Sequence, residues 1–172
     1  MSQRLPRLVI GNWKMNGSVT SVAALITDLC ATPLPDGVDV VVCPSLVHIT
    51  LAHDALAGSG IGLGAQAVSD HEVGAYTGEV SATMLQELGC QYVIVGHSER
   101  RALFDKTVTQ IIAKVHQVLA AGMTPILCVG ETLAQREANE TEAVIGAQVN
   151  PVLKALTQEE LARLVIAYEP IW

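Results

Sequence analysis

Polar groups close three of the apolar runs in this chain. Asn12 and Lys14 come at the end of the run Leu8–Asn12, His97 and Glu99 follow Tyr92–Gly96, and Glu169 follows Leu164–Tyr168. If the runs are parallel strands, these groups sit at strand carboxyl ends, where reactive side chains of α/β folds gather. A carboxylate can remove a carbon-bound proton, and an imidazole can polarise the neighbouring carbonyl. A lysine can hold a phosphate or offset the charge of an enediolate. Together they suit proton transfer next to a carbonyl. In a continuing strand Asn12 and Lys14 would share a face. His97 is in phase with Val93 and Val95, and Glu169 with Val165 and Ala167. Each residue also has a plainer reading: Lys14 as a solvated loop lysine, His97 as a helix cap, Glu169 as a surface carboxylate.

Other reactive types read as structural. Cys30, Cys43, Cys90 and Cys128 form no CxxC pair and no zinc-ligand spacing, so they are expected to be buried free thiols, with no metal. His48, His53, His71 and His116 lack evident partners and read as surface or edge residues. The glycines of Gly58–Gly64 match no phosphate-loop spacing.

The elements that position these residues follow from periodicity. Leu8–Asn12, Val38–Cys43, Ile61–Ala65, Tyr92–Gly96, Pro125–Val129 and Leu164–Tyr168 are short, nearly uniform apolar runs, as for strands covered on both faces. Between them, Ser18 or Thr20 can cap a helix towards Cys30. Leu46–Leu56, Ser81–Leu88, Val108–Leu119 and Glu140–Leu156 read as further helices, the last ended or kinked by Pro151. Thr157 to Glu160 has capping-box spacing. Gln66–Val80, about 15 residues without a pattern, is long enough to expect a function. Six strands alternating with helices make a parallel sheet, either doubly wound or part of a (β/α)₈ barrel. The absence of GxGxxG and GxxxxGK[ST] weakens the nucleotide-binding open sheets without choosing the barrel.

Composition narrows the function classes. The chain has 172 residues, 50% of them hydrophobic and 16% charged, which argues against a disordered chain. With a net charge of −7 and no basic run, a nucleic-acid partner is not expected, although an anionic substrate could use a local positive site. No run approaches the roughly 20 apolar residues of a membrane span, so a membrane location is not expected either.

The wording around the polar residues is more specific. Gly11-Asn12-Trp13-Lys14-Met15-Asn16 resembles the first-strand signature of the triosephosphate isomerase family. Val95-Gly96-His97-Ser98-Glu99-Arg100-Arg101 resembles its fourth-strand signature, and Ala167-Tyr168-Glu169-Pro170-Ile171-Trp172 the sixth-strand word that opens its lid. Gly74-Ala75-Tyr76-Thr77-Gly78-Glu79 resembles its interface loop, and Leu127-Cys128-Val129-Gly130-Glu131 the end of its fifth strand. The resemblance implies a TIM barrel, of which this chain supplies about the first six β/α units. It also implies a cytoplasmic homodimeric enzyme of glycolysis and gluconeogenesis that interconverts dihydroxyacetone phosphate and glyceraldehyde 3-phosphate without cofactor or metal.

The family is itself a standard illustration of carboxylate and imidazole tuning, so the roles come from the resemblance. Glu169 is then the base, His97 the neutral electrophile and Lys14 the positive charge, with Asn12 orienting substrate. Glu99 and Ser98 support them, and Thr77 is the candidate interface residue. One departure is Asp105-Lys106-Thr107, where the family commonly has Gly and an acidic cluster. Another is length, since the family needs about 250 residues. Residues 1–172 are therefore expected to form one domain that stops at the start of the lid, needs a C-terminal remainder and is inactive alone. The alternative is a barrel fragment or pseudoenzyme serving as an assembly or binding module.

Overall fold

The computed structural model describes residues 7–105 and 107–172. Its strands are β1 (Arg7–Asn12), β2 (Val38–Cys43), β3 (Gly62–Ala65), β4 (Tyr92–Val95), β5 (Thr124–Val129) and β6 (Val165–Tyr168). All neighbours pair parallel, and the order is β1-β2-β3-β4-β5-β6. A doubly wound sheet needs a reversal of strand order, and none occurs among the described residues. The sheet curls instead. Val41, Cys43, Ile94, Ile126 and Cys128 form a cluster on its inner face, with Leu8 and Ile10 of β1 and Val165 and Ala167 of β6 packed against it. This is the wall of a (β/α)₈ barrel over six units.

The helices are α1 (Val19–Cys30), α2 (Ile49–Ala55), α3 (Ala82–Glu87), α4 (Ser98–Leu103), α5 (Val108–Ala120), α6 (Leu133–Glu137), α7 (Thr141–Ala155) and α8 (Gln158–Leu161), with a 3₁₀ turn at Leu46–His48. Capping boxes start four of them. Ser18 pairs with Ser21, Thr107 with Gln110, Thr132 with Gln135 and Thr157 with Glu160. Each satisfies backbone N–H groups that a helix start leaves free. The larger core lies between sheet and helices, around Ile26, Leu85, Val93, Val115 and Leu127. Each side chain buried there contributes about 1.5–3 kcal/mol.

Several expectations need correction. Pro151 lies inside α7 and does not end it. Val152, fully buried beside it, ties that turn to the core. Helix α6 was not anticipated, although Thr132 and Gln135 carry its signal. The strands are not uniformly covered: β3, β4 and β5 are buried, whereas Val9 of β1 and Ile166 and Tyr168 of β6 are exposed. Cys30 is exposed, unlike the other three cysteines. His48 is buried, not superficial, with its Cε1 3.9 Å from where a Cβ on Gly17 would stand. His116 faces Glu160 at 3.5 Å, and His71 stacks on Tyr76. In the departure after Phe104, Asp105 is buried, while Lys106 lies outside the described residues.

Candidate active site

Asn12, Lys14, His97, Glu99 and Glu169 converge at the carboxyl ends of β1, β4 and β6, though not all by strand phase. Asn12 and Glu169 do follow it, being in register with the inner-face residues Leu8, Ile10, Val165 and Ala167. Lys14 does not continue its strand, since its backbone is left-handed at φ 53°. That conformation is unusual for a residue with a Cβ and needs support from its surroundings. Here Asn12 Oδ1 accepts the Lys14 N–H at 3.1 Å. Ser45 Oγ and Gln66 Nε2 both donate to the Lys14 carbonyl at 2.8 Å. Gln66 also donates to the Cys43 carbonyl, tying the ends of β1, β2 and β3 together.

The phase argument for His97 fails, and its imidazole reaches the Glu169 carboxylate by another route. Val93 and Val95 face the helix layer, so a straight continuation would send His97 outward. Gly96, at φ +70°, turns the chain and redirects the imidazole. The ring also does what its plainer reading proposed, for His97 is the N-cap of α4 and Nδ1 accepts the Glu99 N–H at 3.3 Å. With Nδ1 accepting, the ring proton belongs on Nε2. That atom is buried without a hydrogen-bond partner among the described residues and lies 3.6 Å from Glu169 Oε2.

Lys14 Nζ stands 2.9 Å from Glu99 Oε1, whose other oxygen is 3.6 Å from His97 Nδ1. The hydrogen bond and charge of Glu99 raise the Lys14 pKa above its ordinary value and keep the ammonium charged. The same hydrogen bond lowers the Glu99 carboxyl. Lys14, His97 and Glu99 line a cavity of about 580 Å³ that continues past Met15, Gln66 and Phe104. Ser98 and Glu169 line a smaller adjoining cleft of about 300 Å³. Thr77 is not part of this cluster. It lies exposed on the 66–80 loop.

Five supporting residues escaped the sequence reading. Arg101 binds the carbonyls of Gly96 and Cys128. Gln148 of α7 clamps Gly130 through both its N–H and its carbonyl, at 3.0 and 2.9 Å. Gly130 lies so close under Glu169 that a Cβ there would stand 1.9 Å from the Glu169 carbonyl oxygen. Glu131, fully buried, accepts from the Tyr168 hydroxyl at 3.0 Å, and its carbonyl accepts the Ile171 N–H. Burial alone would raise its carboxyl, but backbone and Tyr168 hydrogen bonds hold it below the usual range. It follows β5 as Glu169 follows β6, so the strand-end rule could have found it. Gln66 had no signal beyond its place in a long loop.

The family model described as Triosephosphate isomerase matches residues 7–172. The triosephosphate isomerase of Herminiimonas arsenicoxydans is 49% identical over 166 residues, covering 96% of this chain and 67% of that protein. That of Azoarcus sp. (strain BH72) is 53% identical over 166 residues, with coverage of 96% and 67%. That of Colwellia psychrerythraea is 47% identical over 169 residues, with coverage of 96% and 66%. The chain thus spans about two thirds of the length of these relatives.

Proposed function

The chain belongs to the triosephosphate isomerase family, and from that premise we propose that it interconverts dihydroxyacetone phosphate and glyceraldehyde 3-phosphate. Glu169 is the base that takes the carbon-bound proton and returns it to the neighbouring carbon. His97 offers its Nε2–H to the carbonyl oxygens. Lys14, with Asn12 fixing its backbone, offsets the negative charge of the enediolate and the phosphate. The observation that carries this reading is the buried Nε2 of His97, without a hydrogen-bond partner among the described residues, facing the Glu169 carboxylate at 3.6 Å. A proton donor and a proton acceptor thus stand side by side at the strand ends. No observation favours a non-catalytic module.

The reading extends to assembly. The 66–80 loop is exposed at Val73 and Tyr76, and its shape is supported by the His71–Tyr76 stack, with ring centroids 3.9 Å apart. Such a finger, with Thr77 at its tip, suits the groove of a second copy, where Met15 and Phe104 are also exposed. A homodimer follows. The free edges of β1 and β6, with Val9 and Ile166 uncovered, suit closure by further β/α units of the same domain. From its family membership we place the enzyme in the cytoplasm; separately, no helix among the described residues is long and apolar enough to cross a membrane. The test is a coupled isomerase assay on the full-length protein, with intact mass measured on the same sample. Turnover in both directions is expected. A folded, full-length protein without turnover overturns the proposal.

A further inference from the structure

His97 reaches its cavity through a bend, and something must hold that bend. The peptide groups on either side of its Cα both end on one residue. Arg101 Nε donates to the Gly96 carbonyl at 2.6 Å, and the Arg101 backbone N–H donates to the His97 carbonyl at 2.9 Å. The far end of the same guanidinium, Nη2, donates to the Cys128 carbonyl at 3.0 Å, so the bend is also anchored to β5. The packing leaves no slack, because a Cβ on Gly96 would stand 2.8 Å from Nη2.

Arg101 contrasts with its neighbour. Arg100 pairs with the Asp105 carboxylate at 2.9 Å. Arg101 has no carboxylate within ion-pair distance among the described residues, and its guanidinium hydrogen bonds go to main-chain carbonyls. It lines the smaller cleft together with Ser98 and Glu169. A planar fork with fixed donors can span two carbonyls in a way that an ammonium cannot.

We propose that Arg101 is a positioning residue for His97, bracing the Gly96 bend against the end of β5 so that Nε2 stays beside the Glu169 carboxylate. The proposal rests on the isomerase reading above, in which that nitrogen contacts substrate. Displacing a reacting group by about 1 Å can slow an enzyme by about 100-fold.

The test uses the full-length protein with Arg101→Met and Arg101→Lys, read by kcat, KM and the ¹⁵N-detected imidazole resonances of His97. For Arg101→Met, kcat falls by about 100-fold while KM stays within about threefold, because the aim of a group is lost and the ground-state contacts remain. The His97 resonances move. Arg101→Lys, which can reach one carbonyl at a time, recovers about tenfold of that loss. A folded Arg101→Met with kcat within about threefold of the parent overturns the proposal, as does a slow variant with unmoved His97 resonances. If Arg101→Met does not fold, Arg101→Lys is judged by those two criteria, with an expected loss of about tenfold. The unsubstituted protein is assayed alongside. Should it lack isomerase activity, the functional reading fails, and the His97 resonances alone decide the role of Arg101.

Discussion

Two charged clusters share helix α4, one at each end. At its start, Lys14, Glu99 and Glu169 surround His97, and these three side chains are 46%, 55% and 62% exposed. At its far end, Asp105 draws in Lys114 at 2.6 Å and Arg100 at 2.9 Å, with Asp105 and Lys114 almost wholly buried. The contacts of the first cluster are looser, including two at 3.6 Å. Water screens its charges, so its groups can exchange partners and protons at small energetic cost. The second lies where an unmatched charge is severely penalised, so its groups are held in place. Charged residues that do chemistry need access, whereas those that fix a backbone need enclosure. Helix α4 uses one cluster to present the site and the other to hold itself.

The largest effect expected from breaking either cluster is on rate, at the open one. Glu169→Gln keeps the shape of the side chain and removes its ability to accept a proton. Steady-state assays should show turnover lowered by about 10³-fold or more, within the range of general-base loss. Because the side chain is exposed, the free energy of unfolding should stay within about 0.5 kcal/mol of the parent. Turnover within about threefold of the parent would remove Glu169 from the mechanism.

The next effect is on stability, at the closed cluster. Asp105→Asn leaves Lys114 buried without its counter-charge, and removing one partner of a buried pair costs about 3–5 kcal/mol. Urea titration at neutral pH measures this. Burial raises the Asp105 carboxyl, but hydrogen bonds from Lys114 and Arg100 outweigh it, and the net shift is below the ordinary 3.8. A carboxyl lowered in the folded state contributes stability above its unfolded value, and that contribution is lost as pH falls through the folded one. Parent and Asp105→Asn should therefore converge in stability under acid. A difference that persists undiminished at pH 2–3 would assign the loss to packing instead.

The same contrast explains what the sequence made legible. Strand runs and helix caps gave the parallel strands and their helices because they are local, without deciding open sheet against barrel: Val38–Cys43 appears as read, and of the two cap candidates Ser18 is the one used. The open cluster was legible because its residues stand at strand ends inside distinctive words. Its geometry was less so. The routes of Lys14 and His97 depend on left-handed backbone at Lys14 and Gly96, which strand phase does not anticipate. The closed cluster was hidden, since Asp105 and Lys114 are nine residues apart and no local pattern couples them. Arg101 and Gln148 were hidden for the same reason: they act on main-chain groups distant in sequence. The exposure of Val9 and Ile166 was illegible because a strand that is apolar all along does not say which of its faces is covered.

The smallest effect concerns the Lys14–Glu99 pair, and it sharpens the comparison from the other side. Its separation of 2.9 Å equals that of Arg100 and Asp105, so distance alone would rank the two pairs together. Exposure separates them, and exposed pairs are worth about 0.2–1 kcal/mol. The Lys14 hydrogen bond lowers Glu99 below the ordinary 4.5, so its contribution is present above that value and is lost as pH falls through the folded one. The Glu99 hydrogen bond raises Lys14 above 10.5, so its contribution is present below that value and is lost as pH rises through the folded one. Between these limits Glu99→Gln should cost less than about 1 kcal/mol in urea titration, and about 1 M salt, with a Debye length near 3 Å, should erase most of that difference. Asp105→Asn should keep its deficit in the same salt, because the medium around Lys114 admits few ions. A salt-independent loss of about 2 kcal/mol or more for Glu99→Gln would mean that the pair is enclosed in solution. The division of α4 into an open working end and a closed holding end would then fail.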